Sequence, residues 1–440
     1  MIAEPQPPSA IFHRSLTKTY PTATTGQGVY ITQSDGSKIL DGSCGAAVSC
    51  LGHGHQAVIE AITEQARQLS FAHTSFFTSD PAEELASLLI KSSDGRFSTC
   101  MFLSSGSEAV ESALKIARQY HLSKGEPRRT NFIARRSAYH GNTLGALSAG
   151  FNPSRREAFE PMLSPAFHHV SPCFFSRDAI DGEDEDEYTD RLMREYEDKF
   201  LALGPETVAA VIIETVGGAT LGAVPGLPKY LSSLRELCDR HGALLIYDEV
   251  MCGMGRVGTL HAWQALGGTP PDLQTIGKGL AAGYQPLSGI LIGSKVHDAI
   301  REIQATLPFV SGHTYQGHPL ACAAALAVQK TIVRDDLLSK VRRMGGLLSQ
   351  RLRDSTPCLK EVRGMGLFLA VEFSTQPGAH MASDVAATCM KNGLAVYLCS
   401  SAVDAVLFAP PFIITEAEVD QLVSIFLTSV EEVLQDLRDK

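Results

Sequence analysis

The chain has 440 residues, enough for more than one domain with its own core, and its 44% apolar and 20% charged residues are ordinary for a globular protein. A net charge of −10 lacks the basic footprint that a nucleic-acid or anionic-membrane partner needs, and the longest apolar run, Leu320 to Val328, falls well short of the ~20 residues of a spanning helix. The ten cysteines are scattered without a C-x-x-C pair, which predicts free thiols in a reducing cytoplasm and neither a disulfide framework nor a metal site. Met1-Ile2-Ala3-Glu4-Pro5 does not read as a secretory leader.

In chain order, residues 1–27 are rich in Pro, Thr and Ser and predict an irregular lead-in. Val29 to Thr32 and Ile39-Leu40, joined through Asp35-Gly36, predict two strands and a turn. Val58, Ile62, Ala66 and Leu69 recur at helical spacing over His55 to Leu69. From about residue 80 strands and helices alternate. A helix over Pro81 to Ile90 is followed by a strand at Thr99 to Leu103 and by a helix bearing Val110, Leu114 and Ala117. Asn131 to Ala134, Val208 to Ile213, Ala243 to Tyr247, Leu273 to Ile276 and Gly289 to Ile292 are further near-continuous apolar strands, the pattern of strands covered on both faces. The alternation implies an α/β fold with a mainly parallel, doubly wound sheet. The acidic run in Asp178 to Asp198 is read as a solvated surface insertion. After Pro319 an alanine-rich helix, strands in Glu361 to Phe373 and Leu394 to Phe412, and an amphipathic helix from Glu416 suggest a smaller α+β unit that the N-terminal segment joins.

Two motif matches mislead. Gly253-Met254-Gly255-Arg256-Val257-Gly258 fits the dinucleotide pattern G-x-G-x-x-G, with Asp272 near the position of a ribose-binding acid. Residues 248–252, however, separate the strand from the glycines, and Asp272 sits in a Pro-Pro-Asp turn. Ser112-Ala113-Leu114-Lys115 matches S-x-x-K inside an amphipathic helix, without the companion motifs.

The residues at the strand ends say more. Ser104 to Glu108 puts small residues and free N–H groups at a helix N-terminus, suited to phosphate. Tyr139-His140-Gly141 offers a flat ring, Glu214 and Asp248 end two strands, and Lys278 ends another. A phosphate cradle, a ring, two acids and a lysine on one sheet edge suit pyridoxal 5'-phosphate. The lysine would carry the cofactor and move the proton, and a carboxylate at the pyridine nitrogen would keep the ring an electron acceptor.

At these residues the chain resembles a class III (omega-type) aminotransferase of the fold-type I pyridoxal-phosphate enzymes, over nearly its whole length. The resemblance rests on Leu40-Asp41-Gly42, Leu51 to His55, Ser104 to Ala109, Tyr139 to Thr143, Leu245 to Val250, Gly277 to Leu280, Gly312 to Pro319, Val362-Arg363-Gly364 and Pro410-Pro411. It implies a large domain with a mainly parallel seven-stranded sheet over 76–318. It also implies a smaller α+β domain from both termini, the segment 1–75 joining 319–440. Lys278 would be the Schiff-base lysine and Asp248 the partner of the pyridine nitrogen. Gly106 and Ser107 would bind phosphate, Tyr139 would stack on the ring, Val250 would pack its other face, Ser105 and His140 would be further cofactor-binding residues, and Glu214 would lie near cofactor and substrate. Thr314 would reach the phosphate of a neighbouring subunit, which implies a homodimer with shared sites.

The implied activity is a ping-pong transfer of nitrogen from an amine or amino-acid donor to a keto acid or aldehyde, pyruvate-like acceptors being favoured. A racemase, epimerase or aminomutase on the same fold, a silent dimeric scaffold and a nicotinamide-dependent dehydrogenase are the alternatives. The chain departs from ornithine- and GABA-type relatives at Asn142, where they often carry a carboxylate-gripping arginine, and Tyr397 to Asp404 lacks the arginine of some amine:pyruvate relatives. Gly218 to Gly222 and Met251 to Arg256 resemble the amine- or taurine-type branch.

Overall fold

The computed structural model describes residues 9–354, 359–374 and 380–438. Residues 1–8 of the expected lead-in lie outside them, and of the remainder Ala23–Gln27 is a strand paired with Tyr30–Gln33.

A seven-stranded sheet forms the centre. Its strands in chain order are β1 (Thr99–Leu103), β2 (Asn131–Arg135), β3 (Phe167–Val170), β4 (Val208–Glu214), β5 (Leu244–Asp248), β6 (Leu273–Ile276) and β7 (Ser288–Ile292). They are arranged β1-β7-β6-β5-β4-β2-β3, with β7 antiparallel to both its neighbours and the other neighbouring pairs parallel. Every residue of β4, β5 and β6 is buried, as continuous apolar runs require when helices cover both faces. The register aligns Glu214 with Asp248 and Asp248 with Thr275, so the carboxyl ends of β4, β5 and β6 form one row.

Strand β3 escapes sequence reading because Phe-His-His-Val is short, half-polar and at the sheet edge. Most acids of the acidic run are solvent-exposed, as expected, but they open a helix with a buried face. Asp184 caps a helix over Glu185–Leu203, accepting from the N–H groups of Asp186 and Glu187, and Tyr188, Leu192, Tyr196 and Phe200 form its buried stripe. The acids crowd the first turn because unpaired N–H groups and the helix dipole favour negative charge there.

A second sheet pairs Leu359–Met365, Phe368–Phe373, Ala405–Phe408 and Tyr397–Leu398, all antiparallel. The helix Leu337–Arg353, which the sequence reading missed, packs beside the C-terminal helix Glu416–Arg438. The expected hairpin is present as Tyr30–Gln33 and Lys38–Asp41, and Leu394–Ala395 joins it in parallel to Lys38–Asp41. The N-terminal segment is thus stitched to the C-terminal one.

The glycine loop at Gly253 to Gly258 binds protein, not nucleotide. The Met254 and Gly255 N–H groups donate to Leu260 and Thr259 carbonyls, and Arg256, 1% exposed, donates from Nη1 to the Leu367 and Pro410 carbonyls. Asp272 is committed to Arg235 at 2.7 Å and to the Leu245 N–H. Ser112 is buried inside the helix Gly106–Ser123. The nine cysteines among the described residues are free, and no helix among those residues is long and apolar enough to cross a membrane.

Removing the Asp184 cap costs ~1 kcal/mol of helix stability. Asp184→Ala should speed amide hydrogen exchange in the first turn of the Glu185–Leu203 helix about fivefold, with exchange in β4 and β5 unchanged. Uniform exchange rates across variant and wild type would remove Asp184 from that role.

Candidate active site

The carboxyl ends of β4, β5 and β6 open onto a cavity of about 550 Å³, within the ordinary range for small-molecule sites. Gly106, Ser107, Tyr139, His140, Glu214, Asp248, Val250 and Lys278 all line it. The sheet register is what makes neighbours of acids that lie in separate strands.

Asp248 is the most constrained of them. Its Oδ2 accepts from His140 Nδ1 at 2.8 Å, and its Oδ1 accepts from the Thr275 hydroxyl at 2.9 Å and the Val250 N–H at 3.1 Å. A carboxylate offers about four acceptor positions, so one remains for a donor in the cavity. Because an ionised carboxylate only accepts, His140 must carry its proton on Nδ1. Glu214 is held by the Tyr139 N–H at Oε1 and the Gly218 N–H at Oε2. Burial, reinforced by the Asp248 charge, raises the Glu214 pKa.

Lys278 follows β6 in a left-handed conformation, φ 45°, which disfavours a side chain with a Cβ. Desolvation lowers its pKa below the usual 10.5, and the Asp248 and Glu214 charges oppose that shift. An amine with a lowered pKa is more readily neutral, as a nucleophile and proton carrier must be.

At the helix Gly106–Ser123, Ser105 and Glu108 form a capping box: the Ser105 hydroxyl accepts the Glu108 N–H, and Glu108 accepts the Ser104 and Ser105 N–H groups. The Gly106 and Ser107 N–H groups find no acceptor among the described residues. A Cβ on Gly106 would come within 2.7 Å of Val250 Cγ1, so only glycine lets this turn close on Val250. Free N–H donors at a helix start, a spare acceptor on Asp248 and an amine in the same cavity are the donor set that pyridoxal phosphate needs. The residues fit the cofactor.

Ser105 acts as the helix cap and does not itself line the cavity, and Thr314, expected to serve a neighbouring subunit, lies on an exposed loop and does not line the cavity of its own chain. Sequence reasoning missed Thr275, whose signal was its place three residues before Lys278. It also missed Arg135, buried and donating to the Glu214 carbonyl at 2.6 Å, and Arg14 and Arg155, which line the cavity.

Comparison with known proteins agrees with this geometry. The family model "Aminotransferase class-III" matches residues 11–430. An uncharacterised aminotransferase of Schizosaccharomyces pombe is 41% identical over 94% of this chain and 93% of its own. A mitochondrial gamma-aminobutyrate transaminase of Solanum lycopersicum is 32% identical over 94% and 82%. The crystal structure of an omega transaminase from Pseudomonas jessenii in complex with PMP superposes with a TM-score of 0.90 at 32% identity, covering 94% of this chain and 93% of that one. The chain belongs to the class-III aminotransferases. It is a pyridoxal-phosphate-dependent transaminase of fold type I.

The lowered Lys278 pKa has a stability consequence. Between that value and 10.5 the unfolded chain binds the lysine proton more tightly than the folded one, so stability rises with pH through this window. In cofactor-free protein, Lys278→Met should raise Tm at neutral pH, and the gain should shrink as pH climbs towards 10.5. A pH-independent difference between the two melting curves would refute the burial argument.

Proposed function

We propose that this transaminase moves nitrogen from an amine or amino-acid donor to a keto acid or aldehyde, with a pyruvate-like acceptor, in two half-reactions that share one site. The observation that carries the proposal is the convergence of Lys278, Asp248 and the free Gly106 and Ser107 N–H groups on a single cavity. When bound, pyridoxal phosphate supplies an electron sink for the pair released as the substrate Cα–H bond breaks.

The chain's own residues do the rest in this reading. The Gly106 and Ser107 N–H groups bind the phosphate, and the Lys278 amine carries the cofactor and then takes and returns the proton. Asp248, held from behind by His140, Thr275 and the Val250 N–H, would partner the pyridine nitrogen and keep it protonated. Tyr139 and Val250 hold the ring between them, and Glu214 orders the Tyr139 and Gly218 backbone beside it.

The reading assigns residues 76–318 to the cofactor-binding domain and 1–75 with 319–440 to the smaller one. The pairing of Leu394–Ala395 with Lys38–Asp41 supports that division. It also takes the enzyme as a homodimer with Thr314 serving the partner's site. Exposed Phe76, Phe77, Val310 and Tyr315, with Thr314 remote from its own cavity, support the pairing.

Asp248→Asn should keep the cofactor bound while slowing turnover about a hundredfold or more, because the ring loses the charge opposite its nitrogen. Near-normal kcat would take that role from Asp248. A donor screen against pyruvate and 2-oxoglutarate, followed by the absorbance of the bound cofactor, tests the transfer itself. Dependence on an added acceptor is expected, and acceptor-free inversion of a chiral amino acid would instead mark a racemase.

A further inference from the structure

A transaminase that accepts an acid must hold its carboxylate, and the position expected to do so is vacant of charge. Asn142 is exposed, does not line the cavity, and engages Ser107 Oγ through its backbone N–H at 2.9 Å. The segment from Tyr397 to Ser401 forms one wall of the cavity and brings no cation to it.

Four cationic or basic side chains line the cavity: Lys278, His140, Arg14 and Arg155. Lys278 is assigned to the cofactor and His140 is bonded to Asp248. Arg155 remains. Its guanidinium lies over the Tyr139 ring, 5.1 Å from the centroid, and has no carboxylate or carbonyl partner among the described residues. Its neighbour explains the placement. Arg156 is buried and donates to the Ser148 and Gly150 carbonyls and to Glu160, which fixes the short Pro153–Arg156 turn to the body of the protein. Ser154 of the same turn and Asn152, which precedes it, line the cavity as well. Arg14, exposed at the same cavity and near enough to the Tyr139 hydroxyl to stabilise its ionised form, adds a second positive charge.

The carboxylates of the cavity, Asp248 and Glu214, are already taken up by His140 and by the Tyr139 and Gly218 N–H groups. An anionic substrate group is therefore repelled by these carboxylates and drawn to the arginines, leaving its amine or carbonyl for Lys278. Met251, Leu398 and Cys399 line the cavity too and give the carbon chain of a substrate an apolar wall. A planar guanidinium with uncommitted N–H groups binds a carboxylate bidentately, which asparagine at 142 does not.

We infer that Arg155, assisted by Arg14, is the residue that receives the carboxylate of an amino-acid donor or oxo-acid acceptor, in place of the missing arginine at 142. The inference rests on the transaminase reading above, which assigns Lys278 to the cofactor. It makes Arg155 a specificity-determining residue: uncharged amines and aldehydes do not need it, and acids do.

The test uses the cofactor-loaded enzyme. Arg155→Ala should raise KM for the oxo acid that wild-type enzyme accepts by about ten- to hundredfold, the worth of a charge-assisted hydrogen bond. Arg155→Lys should lose less. The ratio of kcat/KM for an acid to that for an uncharged primary amine should fall about tenfold or more in Arg155→Ala. In parallel, calorimetric titration with glutarate, an unreactive dicarboxylate, should show binding weakened about tenfold in the same variant and by added salt. Equal losses for charged and uncharged substrates, or glutarate affinity unchanged by Arg155→Ala, would overturn the inference. If wild-type enzyme transfers nitrogen from no donor, the proposed function fails, and the glutarate titration still decides the role of Arg155.

Discussion

A buried carboxylate at the end of the central strand is the constraint on which the rest of this site depends. Taking Asp248 out of water costs several kcal/mol unless its oxygens are satisfied. The protein meets that cost with three donors from three different segments: His140 from the loop after β2, Thr275 from β6, and the Val250 N–H from its own turn. Each donor fixes a further element of the site. His140 brings Tyr139 to the cavity, Val250 closes on Gly106, and Thr275 stands at the strand end that leads to Lys278.

The next residue extends the same logic. Glu249 is fully buried, and burial pushes its pKa up to about 7. It accepts from the Ala262 and Trp263 N–H groups, the Thr215 hydroxyl and the Gln274 amide. Those bonds pin the turn after β5 to the end of β4 and to the segment that follows the glycine loop. The loop itself serves as a strap. Arg256 reaches from it to the Leu367 and Pro410 carbonyls and lies over the Phe412 ring at 4.6 Å, so the cofactor-facing turn and the second sheet are tied by one buried guanidinium. Lys278, set in a left-handed conformation and partly dehydrated between two carboxylates, is the place where stability is given up for chemistry.

Much of this was legible in the sequence because the relevant physics is local. Apolar runs ending in Asp248, Glu214 and just before Lys278 mark buried strands and what stands at their ends, and Ser105-x-x-Glu108 marks a helix start with free N–H groups. What local pattern misled about was also local in cause. The acidic run around Asp184 has the composition of a solvated loop, and only the four-residue spacing from Tyr188 to Phe200 betrays a buried face. The edge strand β3 is too short and too polar to carry a period.

The sequence by itself determined the strand ends, the helix start and the chemical kinds of the site residues, since each depends on neighbours a few positions away. The tertiary structure decided which of them meet. Register, a property of paired strands and not of either alone, sets Glu214, Asp248 and Thr275 in one row. The commitment of His140 to Asp248, the separation of Thr314 from the cavity of its own chain and the presence of Arg155 in the cavity lining arise between segments remote in the chain. No local period encodes them, because their cause is the packing of one segment against another.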